Sequence, residues 1–168
     1  MERRELSDAF AAFVERADAA ALIVTAFDGR ERSGCLVGFA SQCSIEPPRL
    51  VVWLSVVNHT YGVAERSEHL AAHVIPAGAE ALAELFAEES GDWADKLARI
   101  DWSEGPGGVP LLGGCPDRVV GQVVRRADPG GDHVGFVLDP EGVDLDPAPG
   151  RILRLGDVGD LPPGLPVR

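Results

Sequence analysis

Four short stretches, each rich in apolar and β-branched residues and each bounded by turn residues, constrain this chain more than anything else in it. ALIVTAF (21–27) stops at Asp28-Gly29, a dipeptide that takes up positive φ readily and is the strongest short-range hairpin signal, and the chain returns from Arg30 as a second strand. RLVVWLSVV (49–57) lies between Pro47-Pro48 and Asn58-His59, and its shortness and its valines and tryptophan mark a buried strand rather than a helix. DRVVGQVVRRAD (117–128) and DHVGFVLD (132–139) flank Asp128-Pro129-Gly130-Gly131 and read as a hairpin. Paired runs of this kind predict antiparallel sheet and leave no room for a Rossmann-type βαβ alternation.

The remaining segments fit around that sheet. Phe10, Phe13 and Val14 behind Ser7, a residue suited to an N-cap, predict a short amphipathic helix over 7–15. Residues 61–67 read as helical turns, LAAHVI (70–75) as a strand, and AEALAELFAEES (79–90) as a helix with Leu82, Leu85 and Phe86 on one face. EGPGGVPLLGGCP (104–116) reads as a loop, and RILRL (151–155) as a last strand before a Gly/Pro-rich tail. The expectation is a mainly β fold with α insertions, seven or so strands against three helices, without internal repeats. A length of 168 residues suits one domain, with its core at about 20–140 and a terminal strand and tail over 141–168.

Charge narrows the partners. Asp and Glu number 27 against 15 Lys and Arg, a net charge of −12 that repels phosphate backbones and anionic lipid, so neither nucleic acid nor a membrane surface is expected. Three cysteines (Cys35, Cys43, Cys115) without CxxC spacing fit a reducing compartment, and the mixed charges of MERRELSDAFAAFVER exclude a secretory signal there. A soluble, cytoplasmic protein is the expectation.

Familiar catalytic motifs are missing: there is no G-x-S-x-G, no G-x-x-x-x-G-K-[ST], and no G-x-G-x-x-G after a strand. His69 and His73 share i, i+4 spacing but flank a strand-like run without the acid of H-E-x-x-H, so no metal site is expected. Two stretches hold polar residues where a ligand would need them. In 34–60, Ser41, Gln42 and Ser44 sit among small and apolar residues, and the buried strand after Pro47-Pro48 exits into Asn58, His59 and Thr60. Small residues allow close backbone approach to a planar ring, and donors at a strand end suit a phosphate, although spacing alone equally describes a hairpin with capping polar groups. Gly131-Asp132-His133 opens a late strand and reads either as a turn with a structural histidine or as part of a site.

Taken in order, these pieces resemble the flavin reductase-like family, the FMN-binding split barrels that serve NAD(P)H:flavin oxidoreductases. The resemblance runs through ALIVT (21–25), Asp28-Gly29, Gly34 to Pro48, Asn58-His59-Thr60, Leu82-Ala83-Glu84-Leu85-Phe86, Gly108-Val109-Pro110-Leu111-Leu112 and Gly131-Asp132-His133, about residues 20–140. The chain departs from the family where Thr, Asn and Ser often line the flavin-facing strand, for here stand Leu36, Gly38 and Phe39.

The resemblance implies an antiparallel, Greek-key-like split barrel. It implies that Cys43 and Ser44 lie by the cofactor, that Asn58, His59 and Thr60 hold the flavin phosphate, and that His133 approaches the ring edge or the nicotinamide; backbone groups of Val37, Gly38 and Phe39, with Ser41, Gln42 and Ser44, are the available replacements for the side-chain hydrogen bonds the altered strand lacks. Further implications are a flavin cofactor, FMN or alternatively FAD, with NADH or NADPH as reductant, hydride transfer to flavin N5, a homodimer with the flavin near its interface, and a flavin-dependent monooxygenase as a possible recipient of reduced flavin. Left open are an F420-dependent oxidoreductase and a non-catalytic flavin- or tetrapyrrole-binding module.

Overall fold

The computed structural model describes residues 2–88 and 93–159. Its main body is a seven-stranded antiparallel sheet made of β1 (Leu22–Phe27), β2 (Arg32–Val37), β3 (Ala40–Ser44), β4 (Arg49–Ser55), β5 (His69–Val74), β8 (Arg118–Ala127) and β9 (His133–Asp144), in the order β2-β1-β5-β8-β9-β4-β3. β6 (Trp102–Glu104) and β7 (Pro110–Leu112) form a separate two-stranded ribbon. The helices are α1 (Arg3–Ala17), α2 (His59–Ala64), α3 (Glu80–Ala87) and α4 (Trp93–Ala98).

Both predicted hairpins form. Asp28 builds the first turn by accepting the Arg30 and Glu31 amides on Oδ1 at 2.9 and 2.8 Å, while Gly29 takes φ +89°. These amide bonds come first among the causes that lower the Asp28 pKa to about 2, ahead of the Arg66 guanidinium 2.9 Å from Oδ2. In the second hairpin β9 runs on to Asp144, past the expected end at 139, because Pro140 falls at a bulge: the β8–β9 register shifts between Val120 and Gly121, and Pro140 lies opposite Gly121. A side chain at 121 has no room there, since its Cβ would sit 2.6 Å from the Asp139 carbonyl oxygen.

The unbroken apolar character of ALIVTAF reflects burial on both faces. Val24 and Ala26 point into the main core with Cys35, Val52, Leu54, Leu70, Phe136 and Leu138, whereas Ala21 and Ile23 join a second core with Phe86, Leu112, Cys115 and Leu153. Thr25 donates its hydroxyl to the Pro110 carbonyl at 2.7 Å, tying the ribbon to the sheet. Phe136 is fully buried, and its truncation to alanine is worth about 3–5 kcal/mol.

Four local readings are corrected. The first helix spans Arg3–Ala17 rather than 7–15, for Glu2, not Ser7, occupies the N-cap, its amide donating to Glu5 Oε2 at 3.0 Å. RILRL makes no ladder: Leu153 is wedged between the start of β1 and the end of β5, its carbonyl accepting from the Ala21 amide and its own amide donating to Ile75, leaving only isolated bridges at Ile152 and Arg154. The 104–116 loop contains most of the β6–β7 ribbon, and α4 adds a fourth helix, so the described residues hold nine strands and four α-helices. The third predicted helix ends at Ala87, and residues 89–90 of its expected span lie outside the described residues.

Candidate functional site

Alternation along β4 sends Val52 and Leu54 into the main core and turns Trp53 the other way. Trp53 lies opposite Gly135 on β9, and a Cβ at 135 would meet its ring at 2.9 Å, so the glycine lets the indole lie flat against the strand. The Trp53 amide donates to the Phe39 carbonyl at 2.9 Å, which holds the corner between β2 and β3 beside it. His133, first residue of β9, pairs with Ser55, and its ring lies 5.0 Å from that of Phe39 at 55°. Phe39, Trp53 and His133, with Phe10 and Val14 of α1 and Pro129, Gly131 and Asp132 of the turn, therefore bound a cleft of about 400 Å³ with an almost wholly apolar lining.

His133 Nδ1 lies 2.6 Å from Asp132 Oδ1. A carboxylate only accepts, so Nδ1 carries a proton toward Asp132 and Nε2 is the ring nitrogen left to face the cleft. Among the described residues that buried Nε2 has no hydrogen-bond partner. The bond to His133 is the first cause holding the Asp132 carboxyl below its ordinary pKa. An unpartnered buried ring nitrogen beside two aromatic faces offers polar contact and stacking together, the combination by which a planar heteroaromatic ligand is recognised.

The predicted site residues fall into two groups along the same path of chain. Val37 and Gly38 are buried at the end of β2, Phe39 is 42% exposed, and Ser41, Gln42 and Cys43 are exposed on β3, with Ser44 half-buried. β3 is an edge strand with a register break between Gln42 and Ser44, so it presents backbone groups that no neighbouring strand uses. The second group starts α2. Asn58 caps the helix, its Oδ1 accepting the Thr60 amide at 2.8 Å, the buried Thr60 hydroxyl shares a 2.8 Å hydrogen bond with the buried Ser33 hydroxyl, and the exposed His59 meets Glu31 at 2.5 Å. Ser33 lies on β2, which leads straight to Val37 and Phe39, so one strand joins the groups. His133 joins them from β9 through Phe39.

Trp53, Phe10 and Val14 belong to the cleft without having been singled out as site residues by the sequence. The apolar run 49–57 reads as buried throughout and conceals which of its residues faces outward. Asp132 stood within the G-D-H motif, and only its register beside His133 gives it a contact. Nothing local to α1 says where it docks, and none of its residues is buried.

The other notable groups are structural. His73 is buried on β5, accepts the Leu112 amide on Nε2 at 3.2 Å and donates from Nδ1 to Ile23, and burial depresses its pKa to about 4. His69 pairs with Glu141 instead. Burial pushes the Cys35 and Cys115 thiols up to about 12, whereas Cys43 is exposed. No helix among the described residues is long and apolar enough to cross a membrane.

Comparison with known proteins places this geometry in context. The profile of the flavin reductase like domain matches residues 15–155. The reductase subunit of stachydrine N-demethylase from Rhizobium meliloti is 29% identical over 65% of this chain and 45% of its own length. The reductase subunit of a flavin-dependent monooxygenase from Rhodococcus jostii is 30% identical over 66% and 55% respectively, so the chain spans about half the length of these two relatives. Among solved structures, the NADH:FAD oxidoreductase of Streptomyces globisporus in complex with NAD and FAD fragments superposes with a TM-score of 0.76 at 22% identity, covering 95% of this chain and 98% of the other.

Proposed function

The chain belongs to the flavin reductase like family, and from that premise we propose that it is an NAD(P)H-dependent flavin reductase working on FMN or FAD. The observation that carries the reading is His133 Nε2, buried and without a hydrogen-bond partner among the described residues, at an aromatic cleft that adjoins the polar edge of β3. These residues fit a flavin: flat faces from Phe39 and Trp53, close approach at Gly38, and polar side chains on Ser41, Gln42 and Ser44. A bound flavin supplies the two-electron acceptor for a hydride donated by reduced nicotinamide.

The protein's share is then binding, orientation and exclusion of water. Gly38 and the Phe39 backbone carry the ring along β3, and Asn58, His59 and Thr60 take its phosphate end at the start of α2. His133, held by Asp132, orients the reacting rings through Nε2, and Phe10 and Val14 shield the cleft. No acid–base pair is required, because hydride transfer between these rings moves no proton through the protein.

A homodimer is part of the proposal. Val143 and Leu145 are 59% and 75% exposed at the end of β9, next to an apolar cleft that reaches Leu50 of β4 and Ala40 of β3, and a second copy would cover them. The two reductase-subunit relatives support a flavin-dependent monooxygenase as the consumer of reduced flavin, and the free cysteines support a cytoplasmic location.

The experiment is a fluorescence titration of purified protein with FMN, FAD and riboflavin. The reading predicts quenching by all three, tighter for the phosphate-bearing flavins, and an affinity for FMN that Asn58→Ala lowers by about 1–3 kcal/mol, as loss of a charge-assisted contact does. No flavin affinity at all would remove the proposal.

A further inference from the structure

The turn at the start of α2 carries a carboxylate where an anion is to be bound. Glu31 leaves the β1–β2 hairpin and places Oε1 2.5 Å from His59 Nε2, with the two side chains 40% and 49% exposed. The other donors nearby are also engaged. The Thr60 hydroxyl is bonded to Ser33, Arg66 is paired with Asp28 and Arg32 with Glu104, while Asn58 Oδ1 accepts the Thr60 amide and so fixes the uncharged Asn58 side chain at the cap. His59 is therefore the cation-capable side chain of the turn that a phosphate can recruit most readily, because its present partner is exposed and the Glu31 backbone stays anchored through its amide to Asp28.

We propose that Glu31 competes with the phosphate of the flavin nucleotide for the His59 imidazole, and so sets how readily the flavin leaves. This rests on the reading that Asn58, His59 and Thr60 face that phosphate. A phosphomonoester or pyrophosphate that bonds to His59 takes the place of the Glu31 carboxylate, which is left beside the ligand as a like charge. Affinity for the phosphate is lowered in proportion, whereas the isoalloxazine, bound along β3, is untouched.

The test is a set of dissociation constants for FMN, FAD and riboflavin, read by flavin fluorescence, for the wild type, Glu31→Gln, His59→Ala and the double variant. Glu31→Gln keeps the side chain's shape and the hairpin's backbone bonds while removing the charge. It is expected to tighten FMN by about threefold to tenfold, the scale of one partly screened carboxylate beside a phosphate, and to leave riboflavin within about twofold. In the His59→Ala background the same substitution should give at most a minor part of that gain, because the competition runs through the imidazole. Unchanged FMN affinity in Glu31→Gln, with FMN weakened in His59→Ala, overturns the competition and leaves the phosphate site standing. Equal tightening of riboflavin also overturns it. FMN binding no tighter than riboflavin, with His59→Ala without effect, places the phosphate elsewhere and removes both readings.

Discussion

Replacing His133 by alanine separates a residue that orients reactants from one that merely opens a strand. The ring is 14% exposed, pairs with Phe39 at 5.0 Å and holds Nδ1 against Asp132, so its loss removes one aromatic contact worth about 0.5–1.5 kcal/mol. For a domain of this size that is a fall in Tm of roughly 1–6 °C, and β9 retains its backbone ladder to β4. The chemical effect should be larger. With Nε2 gone from the cleft, the reacting rings lose their fixed approach, and a misplacement of about 1 Å costs on the order of a hundredfold. Stopped-flow bleaching of bound flavin by NADH, in a single turnover, reads this directly, and the affinity for FMN should stay within a few-fold because the phosphate is assigned to Asn58, His59 and Thr60 rather than to His133. A variant that bleaches flavin as fast as the wild type, with only its melting temperature changed, would refute the assignment and make His133 a structural residue.

Other outcomes follow from the buried groups. Of the three cysteines, only Cys43 should react with a thiol reagent at mildly alkaline pH in the folded protein, since burial pushes Cys35 and Cys115 up to about 12; two or more fast-reacting thiols, counted by mass spectrometry, would contradict that burial. His73 has its folded pKa lowered to about 4 from an unfolded value near 6.5, so the unfolded chain binds the extra proton between them. Its contribution is fully present above about pH 6.5 and is lost as pH falls toward 4, and His73→Gln should flatten that part of a plot of urea midpoint against pH.

The extent to which sequence foretold structure differs between fold and site. Asp28-Gly29 and Asp128-Pro129-Gly130-Gly131 announce their hairpins because positive φ and side-chain-to-backbone bonds are local properties of those residues. Strand burial was legible as well, but a continuous apolar run such as RLVVWLSVV conceals orientation, and Trp53 was passed over for that reason. RILRL looks like a strand by composition, yet it bonds alternately to two different strand ends, an arrangement that only the folded sheet creates. For the site, the resemblance brought forward Phe39 and His133 separately, and it takes the β4–β9 register to set their rings in contact. The pairing of Glu31 with His59 was hidden for a similar cause: it joins a hairpin tip to a helix start across the β1–β2 edge, and neither segment alone implies the other.

The central claim is hydride transfer at the cleft bounded by Phe39, Trp53 and His133, and it is tested most directly by anaerobic titration of the flavin-loaded protein with NADH and with NADPH, following the absorbance of oxidised flavin. The account predicts complete bleaching at one equivalent of at least one of the two nucleotides per bound flavin, with the colour restored on admitting oxygen. Bound flavin that keeps its oxidised spectrum under excess of both nucleotides would contradict it.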